Sequence, residues 1–63
     1  MEIFKTITYE HIDESDMIGE IDYVLRNTNL QFYRIETFMS PRFLKITIYE
    51  LSYEEAHPQH ETK

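Results

Sequence analysis

The sequence predicts a small α+β domain of order β-α-β-β: a three-stranded antiparallel sheet, strand order 1-3-2, with one helix on one face. Three observations predict it. Residues 2–11 and 43–54 alternate between two side-chain classes with a period of two, as half-buried strands do. Residues 14–27 repeat their apolar positions with the helical period. Pro41 then separates two strand-like runs, 30–38 and 43–54, where a fixed φ and a missing amide donor suit a turn.

The first strand, residues 2–11, sets Ile3, Lys5, Ile7 and Tyr9 on one face and Phe4, Thr6, Thr8 and Glu10 on the other. The helix carries an apolar stripe of Met17, Ile18, Ile21, Val24 and Leu25. Asp13 suits the N-cap, where its carboxylate can accept from free first-turn amides. Ile12 and Met17 fit a hydrophobic staple. Acids at the start and Arg26 near the end complement the helix dipole, and Asp22 and Arg26 have the spacing of an ion pair. Gly19, the single glycine, lies inside this helix at a cost of about 1 kcal/mol relative to alanine. Close packing on the sheet is one reading of it, and no role is the other. Asn27, Thr28 and Asn29 end the helix, asparagine being able to take a left-handed conformation.

A right-handed crossover through the helix makes the first two strands parallel. The hairpin reverses the third, which fits best between them. Its face of Leu44, Ile46 and Ile48 suits a central strand, and the helix is expected to cover it together with Ile3, Ile7, Tyr33 and Ile35. Residues 1–55 form the domain, and the polar stretch 56–63 is expected to be a loose tail.

Length and composition bound the function. A chain of 63 residues holds one domain, with a core too small to be comfortably stable. Without cysteine, neither disulfides nor thiolate metal sites can supplement it, so self-association is the remaining source of buried area. The apolar runs are too short to span a membrane, and Met1 to Lys5 lacks the layout of a signal peptide, so a cytoplasmic location is the default expectation. The net charge of −6 is concentrated in residues 1–22, where seven acids face Lys5 alone. Such a charge repels a phosphate backbone at long range.

Two surfaces stand out as candidates. The sheet face away from the helix would display Phe4, Phe32, Phe38, Tyr49 and Tyr53 among Thr6, Thr8, Thr47, Arg34 and Lys45. No second layer exists to cover so many aromatics. The expected protein interface there is Phe32, Arg34, Lys45, Tyr49 and Tyr53. The second candidate is an acidic side of the helix, Asp13, Asp16 and Glu20, which also serves the helix dipole and solvation. The tail holds Glu54, Glu55, His57, His60 and Glu61, ligand types for zinc or nickel, but Pro58 and the short length disfavour an ordered site.

Catalytic signals are absent: no cysteine nucleophile, no glycine-rich phosphate loop, no serine in a nucleophile elbow. The sequence therefore points away from an enzyme, with no cofactor and no metal. It points to a small acidic interaction module that binds a protein partner, with inhibition as one way of acting, and that pairs as a homodimer through its open sheet face. Phage- and plasmid-encoded inhibitors and adaptor proteins share this small, acidic character. The alternatives are a single-stranded nucleic-acid-binding module on the same aromatic face, disfavoured by the charge, and a subunit whose site forms only in an oligomer.

Overall fold

In the computed structural model, which describes residues 1–57, the chain runs β1 (Glu2–Glu10), α1 (Glu14–Arg26), β2 (Tyr33–Ser40), β3 (Phe43–Glu50) and α2 (Tyr53–Ala56). The three strands form one antiparallel sheet in the order β1-β3-β2, as expected. No helix among the described residues is long and apolar enough to cross a membrane.

The core follows from the alternation of β3. Leu44, Ile46 and Ile48 are buried on the face that receives Met17 and Val24 of α1. Ile7 and Tyr9 of β1, Ile12, Ile21, Tyr33 and Ile35 pack around this group at partial exposure. The helical stripe is narrower than its composition suggests. Met17, Ile21 and Val24 turn inward, while Ile18 and Leu25 are exposed.

A β-bulge corrects the facing of the first strand. Ile3 pairs with Tyr49 but Lys5 pairs with Ile48, so Phe4 is the extra residue. The insertion exchanges the faces of the residues before it. Ile3 lies opposite Tyr49 on the open face, and Phe4 reaches the helix side, where its ring sits 5.2 Å from that of Tyr33. Periodicity assigned the two the other way round because a bulge leaves no mark in the alternation.

The turns also differ from expectation. Met39 and Ser40 continue the ladder opposite Leu44 and Phe43, so the hairpin loop is Pro41 and Arg42 alone. Arg42 takes φ 60, the left-handed second position of a type II turn, in which proline suits the first. His11, at φ 61, reverses the chain between β1 and α1, and Ile12 N–H then donates to the Arg42 carbonyl at 3.3 Å. Asn27, by contrast, is not left-handed (φ −104): its amide and its side-chain Nδ2 both donate to the Tyr23 carbonyl. At the other end of α1, Asp13 has N-cap geometry, yet its carboxylate makes no cap hydrogen bond.

The third strand stops at Glu50, not at residue 54. Ser52 starts α2 with a capping box: its Oγ accepts from Glu55 N–H at 3.2 Å and its own N–H donates to Glu55 Oε1 at 2.7 Å. Ala56 closes this turn and His57 stacks on Tyr53 with ring centres 4.3 Å apart, so both belong to the fold and not to the tail. The rest of the expected tail, 58–63, lies outside the described residues.

Two stability predictions follow from this packing. Ile46 is fully buried at the centre of the middle strand, so Ile46→Ala is expected to cost about 2–5 kcal/mol in urea unfolding. Gly19 faces open space, where an added Cβ meets no atom within 4 Å. Gly19→Ala is therefore expected to stabilise the domain by about 1 kcal/mol. Calorimetry should record a rise of several degrees in Tm.

Candidate protein-interaction surface

On the open sheet face, Arg34, Lys45 and Tyr49 take the positions expected of them. Tyr49 is half-buried and Lys45 exposed. Phe32 precedes β2 in a turn, and Tyr53 lies in α2. These two meet through His57, whose ring stacks on Tyr53 and lies 5.9 Å from that of Phe32. At the opposite end Phe38 and Phe43 form an edge-on pair, centres 6.2 Å apart. Six residue steps, about 20 Å of rise, separate Phe32 from Phe38. The middle of the face is polar: Thr6, Thr8, Thr47, Lys45, and an Arg34–Glu36 ion pair at 3.2 Å. The aromatic residues thus form two separate groups, not one continuous patch.

The acidic residues keep to one side of α1, but two of them are engaged within the chain. Glu20 Oε1 accepts from the Tyr9 hydroxyl at 2.9 Å. Burial first, and then this hydrogen bond and the adjacent negative charge, raise the Tyr9 phenol above its ordinary value. Asp13 reaches Arg42 Nη1 at 3.4 Å, across the mouth of the hairpin turn. Asp16 is exposed. The expected Asp22–Arg26 pair is present at 2.9 Å.

A further exposed apolar surface lies on the helix side of the sheet, where sequence periodicity placed only core. Glu20 faces β1, so the opposite flank of α1 looks toward β2. Ile18 and Leu25, seven residues apart, occupy that flank and are 66% and 41% exposed. Leu30 and Met39 extend the strip at 53% and 54% exposure. Two hollows open along it. One, about 590 Å³, is lined by Leu25, Leu30, Tyr33, Ile35 and Leu51 among others. The second, about 480 Å³, lies between Ile12, Met17, Met39 and Pro41, with Asp13 and Arg42 at its rim. The available signal was the width of the helical stripe: Ile18 and Leu25 stand to one side of the Met17–Ile21–Val24 seam.

Among the described residues, no three His, Asp or Glu side chains come together in a group able to hold a metal ion. His60 and Glu61 lie outside those residues. No protein-family model, no curated protein and no solved structure matches the chain.

Glu55 provides a pH test of the end of the domain. The Ser52 N–H holds its carboxyl below the ordinary value of 4.5. A lowered carboxyl favours the folded turn above that ordinary value and withdraws its support as pH falls through the lowered one. The Ser52 amide proton, followed by NMR, is expected to lose its downfield shift with a midpoint below 4.5, as α2 loosens.

Proposed function

We propose that this chain is a protein-interaction module that acts by binding, and through binding inhibits or recruits, a protein partner. One observation carries the reading: the exposed apolar strip of Ile18, Leu25, Leu30 and Met39, flanking a sheet edge unpaired among the described residues. Apolar side chains gathered along one flank of a small domain mark an association surface more often than scattered ones do. An edge strand beside them offers main-chain hydrogen bonds to an incoming segment.

The open sheet face, with Arg34, Lys45 and Tyr49, is the second candidate surface of the same module. Its divided aromatics and its internal Arg34–Glu36 pair favour a protein contact over a stacking platform for nucleic-acid bases. The charge of −6 weighs the same way.

The test compares variants of exposed residues in capture from the native cell with mass spectrometry, folding being checked by circular dichroism. Leu25→Asp and Met39→Asp are expected to remove a partner that wild type and Asp16→Lys retain, by about tenfold in affinity or more. Retention by both apolar variants and loss with Tyr49→Ala would move the site to the open face. Single-strand binding that falls steeply with salt and needs Lys45 would overturn the protein reading.

A further inference from the structure

The two edges of the sheet are built differently. β1 carries the bulge at Phe4 with Lys5 beside it, two features that blunt an edge against pairing. β2 runs from Tyr33 to Ser40 with no proline, no lysine and an unbroken register to β3. Its free main-chain groups follow from one hydrogen bond. The Phe32 carbonyl accepts from Leu51 N–H at 2.9 Å, in the same register that closes the hairpin at Ser40 and Phe43. Alternation then turns the N–H and C=O groups of Arg34, Glu36 and Phe38 toward β3. Those of Ile35, Thr37 and Met39 point outward from the edge, with the Tyr33 carbonyl, while the Tyr33 N–H donates to the Asn29 carbonyl at 3.1 Å.

A second β2 laid antiparallel about a two-fold axis must set like faces together, and the side chains choose among the centres. Centring on Glu36 opposes that carboxylate to itself, which repels. Centring on Thr37 sets Glu36 against Phe38 and leaves Arg34 facing Ser40. Centring on Ile35 sets Arg34 of each copy against Glu36 of the other, Ile35 against itself, and Phe32 against Phe38. This last register alone pairs opposite charges, and it brings the two separated aromatic groups of the open face together across the joint.

We infer that the chain forms a homodimer by antiparallel β2–β2 pairing centred on Ile35, producing a continuous six-stranded sheet. This names a first partner for the interaction module and rests on that reading. The outward groups of Ile35, the Thr37 N–H and the Tyr33 carbonyl supply about four interchain hydrogen bonds. The two-fold axis stands perpendicular to the sheet, so both α1 helices lie on the same side. Their Leu25–Leu30 flanks become the walls of one apolar trough above the joint.

Sedimentation equilibrium over a concentration series tests this, with charge reversal at exposed positions. Wild type is expected to dimerise. Arg34→Glu alone and Glu36→Arg alone place like charges across the joint, so each should weaken self-association by about tenfold or more. An equimolar mixture of the two variants restores both cross-copy pairs and is expected to form a heterodimer. The mixture separates the contact between copies from the ion pair within one, because both variants lose the latter. In hydrogen exchange of wild type, the Ile35 and Thr37 amides should be protected in the dimer and lose that protection on dilution, while the Tyr33 amide, held by the Asn29 carbonyl in each copy, should not change. A chain that stays monomeric, single variants that associate like wild type, a mixture that does not pair, or β2 amides indifferent to dilution would each overturn the proposal. Leu25-dependent capture by a wholly monomeric chain would keep the binding module and remove the dimer. A dimer with no Leu25-dependent capture would do the reverse.

Discussion

One α-helix is too narrow to cover three strands. With its side chains a helix is about 10–12 Å across, while three strands and their flanking side chains spread wider. α1 therefore has to choose, and it lies over β3 and β1. The choice is visible in the burial of Leu44, Ile46 and Ile48, in the Tyr9–Glu20 hydrogen bond on the β1 side, and in the exposure of Thr37 and Met39 on β2. The apolar strip and the hollows beside it are consequences of this one mismatch in width.

The connections hold that placement with local conformations that carry a cost. His11 and Arg42 both adopt positive φ, which for a residue with a Cβ costs about 1–2 kcal/mol each. They are neighbours in space: the Arg42 carbonyl receives the Ile12 amide, and the Arg42 guanidinium reaches Asp13. The hairpin turn and the entry to α1 are thus tied together, which sets where the helix begins over the sheet. The bulge at Phe4 acts at the opposite end of β1. It moves Phe4 onto the helix side against Tyr33 and frees Ile3 for the open face.

Charge is arranged by the same geometry. The ion pairs are exposed, so each contributes little to stability. Their value lies in orientation and pairing. Arg34 and Glu36 stand two residues apart on an edge strand, an arrangement that is self-complementary when the strand meets its own copy. Asp13 and Glu20 are drawn into contacts with Arg42 and Tyr9, which breaks up the acidic side of α1 as a docking strip.

What the residues by themselves determined was everything carried by period and punctuation. The alternation of β3, the Met17–Ile21–Val24 seam, the Asp13 boundary and Pro41 were enough for the element order, the sheet order and the buried centre at Ile46. Those signals are local, and the hydrophobic effect reads them directly. Only the tertiary structure decided which apolar residues stay outside. Ile18 and Leu25 fit the helical stripe as well as Val24 does, and Met39 matches its neighbours on β2. Their exposure depends on where α1 lies across the sheet, and that depends on the bulge and the two left-handed residues. None of these alters the hydrophobic period, because each is a matter of backbone geometry and pairing register and not of side-chain polarity.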